Sequence, residues 1–241
     1  MGTNGWYSTK VADTICTLIE TKNCYIVLDA GEGFRRLDEY ITKDLPVYVF
    51  LSHLHLDHIY GLHILPKMKF KDRLTVVVPK SKLDSFLKII GPPFTMSLKN
   101  TPVKIVSIEP GKANGLPFDC GCFELIHQDG SFGYRIDLEK NSVSYCSDTA
   151  YDKKVIKFIG GSDILIHECT NKSNFKDSGW GHSNPQEAAR IAKEAGVGKL
   201  ILTHFMPDFY PTLRSRKMAQ ESARKIFKNS LAAKDGLTIK F

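Results

Sequence analysis

The chain has no apolar run near the roughly 18 to 20 residues that cross a bilayer, and Met1 to Lys10 contains no basic segment followed by a hydrophobic one. Neither a membrane-spanning nor a secreted protein is expected. Met1-Gly2 starts like an acylation signal, but Trp6 stands where that signal needs Ser or Thr, so no lipid anchor is expected. Cysteine is scarce: Cys16, Cys24, Cys120, Cys122, Cys146 and Cys169 in 241 residues, with no Cys-x-x-Cys pair. That excludes a disulfide scaffold and makes a cytoplasmic, reducing setting the expected one. Cys120-Gly121-Cys122 lacks the second pair that a soft-metal site needs and reads as two ordinary thiols. Low-complexity tracts, long Pro/Gly/Ser linkers and short-period repeats are also missing, so a single domain over residues 1–241 is expected.

What is present is the balance of a globular protein, 42% hydrophobic and 24% charged, with a formal net charge of +7. The excess favours anionic partners, whether nucleic acid or phosphate esters, without choosing between them. Short β-branched runs read as strands at Tyr25 to Leu28, Pro46 to Leu51, Leu74 to Val78, Val103 to Ile108, Phe123 to Ile126, Tyr134 to Leu138, Ser142 to Cys146, Ile164 to Ile166 and Leu200 to Thr203. Helical patterns fall between them at Ser81 to Ile90, Tyr151 to Ile159, Pro185 to Ala195 and Ser215 to Lys228. Asn184 before Pro185, with Glu187 three positions on and Gly196 past the end, is a complete set of helix signals. Strands and helices are mixed throughout, an α/β chain.

The chemistry is concentrated in Ser52-His53-Leu54-His55-Leu56-Asp57-His58, directly after a strand. In an extended stretch alternate side chains share a side, which puts His53, His55 and Asp57 together and His58 elsewhere. One loop then serves two neighbouring metal ions, and imidazole with carboxylate suits zinc, with iron or manganese as alternatives. More ligands are needed from distant segments. His127, Asp148 and His204 each follow a strand, where α/β active sites collect.

These residues, together with Leu28-Asp29-Ala30-Gly31-Glu32-Gly33, Gly133-Tyr134-Arg135-Ile136, Ser147-Asp148-Thr149, His167-Glu168-Cys169-Thr170, Gly181-His182-Ser183 and Thr203-His204-Phe205, resemble a metallo-β-lactamase-fold hydrolase. The Gly-Tyr-Arg-Ile segment and the His-Glu-x-Thr box resemble the ribonuclease Z branch of phosphodiesterases, and the Pro-Gly-His-Thr segment of lactamases and glyoxalases is missing. The resemblance implies a four-layer αββα sandwich. It implies that His53, His55 and His127 hold one divalent cation, Asp57, His58 and His204 a second, and that Asp148 bridges them. Asp57 would orient a hydroxide shared by the two ions, and His182, paired with Glu168, would protonate the leaving group. Asp29 either orients the ligands or is a turn residue.

His167 and His63 read as structural, and Arg135 either meets a phosphate or pairs with an acid. Phe132, Trp180, Phe205, Phe209 and Tyr210 either stack on a ring or pack their loops down. Lys67, Lys69, Lys71 and Arg73 read as a solvated basic face. Only Asp137 to Cys146 separates the Gly-Tyr-Arg-Ile segment from Ser147, where ribonuclease Z carries a tRNA-gripping arm, so a hairpin is expected there and precursor tRNA should be a poor substrate. The expected function is hydrolysis of a small phosphodiester or single-stranded nucleic acid; a lactone, thioester or sulfate ester is the alternative bond, and a metal-containing sensor the alternative class. A homodimer stays open.

Overall fold

Thr17–Glu20 (β1), Tyr25–Leu28 (β2), Val47–Phe50 (β3), Leu74–Pro79 (β4) and Lys104–Ile108 (β5) pair in that order into one sheet. Gly111–Ala113 (β6), Asp119–Leu125 (β7), Ser131–Asp137 (β8), Ser142–Cys146 (β9), Ile164–Glu168 (β10), Lys199–Thr203 (β11) and Ser230–Ala232 (β12) pair in chain order into a second. The helices are Leu56–Ile59 (α1), Leu83–Ile89 (α2), Lys153–Ile159 (α3), Pro185–Glu194 (α4) and Leu213–Arg224 (α5), with more tightly wound 3₁₀ helices at Glu32–Glu39 and Tyr60–Lys67. This computed structural model describes every residue but Asn100, Lys176 and Ser178.

The period-two alternation of each strand fixes the layering. On β2, Ile26 and Leu28 meet the second sheet, whereas Tyr25 and Val27 face Phe34, Leu37, Leu62, Leu65 and Phe86 on the outer side. On β10, Ile164 and Ile166 face inwards, and Leu165 joins Leu200, Leu202, Val155, Ile191 and Ala219 beneath α3, α4 and α5. Two sheets therefore separate three apolar layers, which is the αββα sandwich of the metallo-β-lactamase fold.

Three strands escaped the sequence patterning. β1 is half-exposed, β6 and β12 are three residues each, and none carries a run of buried apolar residues. Helix ends moved to their caps. α3 starts at Lys153 because the Asp152 side chain accepts from the Lys154 amide, and α5 starts at Leu213 because Thr212 and Ser215 form a reciprocal cap. The Asn184–Glu187 capping box forms as read. β8 and β9 are joined by a tight turn in which the Leu138 amide donates to the Asn141 carbonyl at 2.8 Å, so the segment is a hairpin and no arm is present.

The turns and loops that follow β3, β7, β9, β10 and β11 open at one end of the sandwich, and there the site is assembled. His167 points away from that chemistry: it is buried on β10, its Nδ1 donates to the Glu168 carbonyl at 2.8 Å, and its Nε2 has no partner among the described residues. Burial holds its pKa below the ordinary 6.5. The unfolded chain therefore takes up this proton first, and the associated stability, intact above the unfolded-state value, is lost as pH falls below it towards the depressed folded-state value. Chemical denaturation at pH 7 and pH 5 should show a smaller acid loss in His167→Asn than in the parent protein.

Candidate metal centre

β3 ends at Phe50, and the chain turns helical at Leu56 with His55, still extended, at the cap. The alternation expected for an extended loop stops there. His53 and His55 join His127 and Asp148 in one group of convergent donor atoms, while Asp57 rotates to join His58 and His204 in a second. The correction is one of period: a strand places Asp57 with His53, and a helical turn places it with its neighbour His58. His127 and Asp148 each lie two residues past β7 and β9, and His204 immediately past β11.

Asp148 lies between the groups. Its Oδ2 is 3.8 Å from His53 Nε2, and its Oδ1 is 3.2 Å from His204 Nε2 and 3.4 Å from His58 Nε2. The five imidazoles share one pattern: each gives one ring nitrogen an outward acceptor and turns the other inwards. His58 Nδ1 donates to Asp29 Oδ2 at 2.8 Å, and His53 Nδ1 to Ser52 Oγ at 3.0 Å. His204 Nδ1 donates to Thr170 Oγ1 at 2.9 Å, whose hydroxyl in turn donates to the His204 carbonyl. His127 Nδ1 donates to the Gly181 carbonyl at 3.3 Å, and His55 Nε2 to Asp129 Oδ2 at 2.9 Å. The ring proton is thus held outside, and each inner nitrogen presents a lone pair. His53 Nε2 is buried without a hydrogen-bond partner among the described residues, and His58 Nε2 faces His204 Nε2 at 3.0 Å. Two facing lone pairs beside two carboxylates suit a cation between them. The donor set therefore fits divalent metal.

Charge agrees with geometry. Burial opposes a positive charge at His58, yet Asp57, Asp148 and Asp29 outweigh it and hold its pKa well above the ordinary value, so without a cation the inner nitrogen takes a proton at the position a metal ion would occupy. Burial likewise opposes charge on Asp148, but His204, His58 and His53 keep its carboxyl far below the usual range. The centre is built to accumulate positive charge.

Asp29 is an orienting residue. It is buried, takes a left-handed backbone at φ 56°, and accepts from the Ser52 amide at 2.7 Å and Tyr145 hydroxyl at 2.6 Å as well as from His58. His204, with φ 55°, and Trp6, with φ 65°, adopt the same strained region, which non-glycine residues enter where the surroundings compel it. Glu168 is buried. Its Oε1 accepts from His182 Nδ1 at 3.1 Å and from the Ser183 amide at 2.9 Å, and its Oε2 from the Thr170 amide at 2.7 Å. His182 lies 3.9 Å from Asp148; burial disfavours its charge, but Glu168 more than compensates and its pKa is pushed up to about 9.

Several expectations sort themselves by position. Arg135 pairs with Asp137 at 3.0 Å and donates to the Gly160 carbonyl at 2.8 Å, so of its two readings the acid pair is the one formed. Phe132, which lies on β8, Phe205 and Tyr210 are buried, and only Trp180 of these five aromatics is largely exposed. Arg73 is tied to Asp44 and to the Lys43 and Leu45 carbonyls. His63 is exposed, bonded to the Tyr60 carbonyl. The sequence reading missed Asp129, Thr170 and Trp6. The first two had a signal, lying two residues from His127 and two from Glu168; Trp6, whose amide donates to Asp57 Oδ2 at 2.7 Å, had none.

Gly181 sets the loop carrying His182. Its φ is +90°, and a Cβ there would fall 2.3 Å from the Ile126 carbonyl oxygen and 2.6 Å from His127 Cα. Gly181→Ala should displace both histidines, lowering turnover about tenfold or more and the melting temperature by several degrees, given a left-handed penalty of about 1–2 kcal/mol before the clash. Thermal unfolding and steady-state kinetics on the same preparation check this.

The fold and these convergent groups define a metallo-hydrolase class, and comparison with known proteins says which one. The Beta-lactamase superfamily domain matches residues 25–205, and the chain belongs to that superfamily. It is 30% identical to the probable metallo-hydrolase YhfI of Bacillus subtilis over 80% of this chain and 79% of that protein. The crystal structure of the metallo-beta-lactamase fold protein YhfI superposes with a TM-score of 0.83 at 26% identity, covering 98% of this chain and 95% of that one. A ribonuclease Z of Thermoplasma acidophilum is 27% identical over 97% of this chain and 92% of its own length. Human tRNase Z, short form, shares the fold at a TM-score of 0.75 and 20% identity, covering 99% and 96% of the two chains. No helix among the described residues is long and apolar enough to cross a membrane.

Proposed function

We propose that the chain is a phosphodiesterase of the ribonuclease Z type, with His53, His55 and His127 holding one cation, Asp57, His58 and His204 the other, and Asp148 shared. The observation that carries this reading is the Glu168–His182 pair set against Asp148, because it adds a proton donor to a two-cation site. Two divalent cations, zinc by the donor set, would supply positive charge to the phosphoryl oxygens and acidify a bound water. Asp57, fixed by the Trp6 amide, would orient an attacking water and accept its proton. His182 gives up its proton towards the leaving oxygen, with Glu168 fixing the ring and balancing its charge. Tethering of Glu168 by three backbone amides, those of Thr149, Thr170 and Ser183, holds the donor in place.

The similarity to the Thermoplasma ribonuclease Z supports a phosphodiester over other bonds. The hairpin between β8 and β9 favours a small or single-stranded substrate over folded tRNA, since affinity for a folded nucleic acid comes largely from phosphate contacts spread over a surface. The test is a panel of bis-p-nitrophenyl phosphate, a penicillin, an aryl lactone, a thioester, an aryl sulfate and precursor tRNA offered to the metal-loaded protein. Turnover of the diester, none of the penicillin, and weak cutting of the tRNA are expected. Faster turnover of the lactone, thioester or sulfate than of the diester would overturn the reading.

A further inference from the structure

We propose that Trp6 and Trp180, the only tryptophans in the chain, are stacking platforms for a planar aromatic ring attached to the substrate's phosphate. The proposal rests on the phosphodiesterase reading and names the substrate class: nucleotide-like or aryl phosphodiesters. Trp6 is 62% exposed and Trp180 47% exposed. Each stands beside a different group of donors. Trp6 is bonded through its amide to Asp57, in the group with His58 and His204. Trp180 precedes Gly181 and His182, and its carbonyl accepts from the Gln128 amide at 3.0 Å, next to His127.

The backbone beside each indole is hydrogen-bonded to the fold. Asn4 anchors the Trp6 strap through side-chain bonds to the Tyr7 and Ala12 carbonyls, both at 3.0 Å, and is itself gripped by buried Arg216. Gly5 donates to the Phe205 carbonyl at 3.1 Å and lies so close to His204 that a Cβ would come within 2.5 Å of the ring. Trp180 stands between Gly179 and Gly181, both left-handed, and the carboxylate of Asp177 accepts from the amides of Gly179, Gly181 and His182 at 3.0, 2.9 and 3.1 Å. A large aromatic held exposed by a fixed backbone, at φ 65° for Trp6, loses little freedom when a ring stacks on it. The neighbouring Leu56 and Ile126 are also exposed, giving the charged centre an apolar border. Phe205 and Tyr210, by contrast, are spent on packing.

Adenosine 5′-monophosphate and ribose 5-phosphate differ only by the base, and comparing them isolates the ring. Titration calorimetry on the metal-loaded protein should show the nucleotide binding about fivefold to a hundredfold tighter. In a Trp6→Asn/Trp180→Leu double variant the two ligands should bind alike; Asn tolerates the left-handed backbone and keeps the amide on Asp57. Each single variant leaves one tryptophan, so fluorescence quenching by the nucleotide reports each indole separately. Phenyl phosphate tells the source of the ring: affinity equal to the nucleotide's means any aryl ring, and affinity at the ribose 5-phosphate level means a nucleobase. Equal affinities for nucleotide and sugar phosphate in the parent protein, or a preference that survives in the double variant, would overturn the proposal. Because binding is read without turnover, a protein that prefers the nucleotide yet cleaves no diester refutes the phosphodiesterase reading and leaves the platforms standing.

Discussion

Asp148→Asn is expected to cost the protein both cations together and to reduce turnover by at least about a thousandfold, or about 4 kcal/mol of transition-state stabilisation. Asp148 gives one carboxylate oxygen to each side, Oδ2 towards His53 and Oδ1 towards His58 and His204. An amide has one acceptor oxygen, so one group would face an N–H₂ donor instead. The substitution also removes the charge that sits among three buried imidazoles. His55→Ala is the control: His55 is half-exposed, belongs to one group only, and should lower metal content by one ion per chain. Elemental analysis after reconstitution separates the outcomes. Full retention of two ions in Asp148→Asn would remove this residue from the shared position.

His182→Ala should slow cleavage of an alkyl phosphodiester by about 100-fold to 10,000-fold and that of a nitrophenyl diester only slightly, with metal content unchanged. A nitrophenolate leaves without a proton, whereas an alkoxide does not. His182 is placed for this task by its Nδ1 bond to Glu168, which leaves the other nitrogen available. The companion variant is Glu168→Gln in place of Glu168→Ala: its amide oxygen keeps the bonds of one carboxylate oxygen, and its N–H₂ faces the donors of the other. Alanine would strand the Thr149, Thr170 and Ser183 amides in a buried space, at about 1–3 kcal/mol for each unpaired group, and report on folding instead of proton transfer. Equal losses on the alkyl and aryl esters would assign His182 to binding.

The long strands, the helix with the Asn184 cap and every donor in the two groups were legible in the sequence, because each has a local signature: an alternating run, a capping box, or a His or Asp just past a strand. What was not legible depended on contacts that no local pattern announces. β1 and β12 are strands only because β2 and β11 lie beside them. The split of Asp57 from His53, which the family resemblance implied, was hidden from strand alternation because a four-residue helix begins at Leu56. Asp29 read equally as a turn residue until Ser52, His58 and Tyr145 were seen to converge on it. The strap bearing Trp6 had no pattern at all, since its place over Asp57 is set by a pairing of Asn4 with Phe205.

The order of the two sheets along the chain divides the protein into consecutive halves. Every strand up to Ile108 belongs to the first sheet and every strand from Gly111 to the second, with Glu109 and Pro110 exposed between them. The first half owns His53, His55, Asp57 and His58; the second owns His127, Asp148, Glu168, His182 and His204. Neither half holds the whole of the proposed site. Expressed as two polypeptides cut at Glu109-Pro110, the molecule would become an obligate heterodimer whose hydrolytic activity measures reassociation, a complementation pair that uses its own chemistry as the reporter.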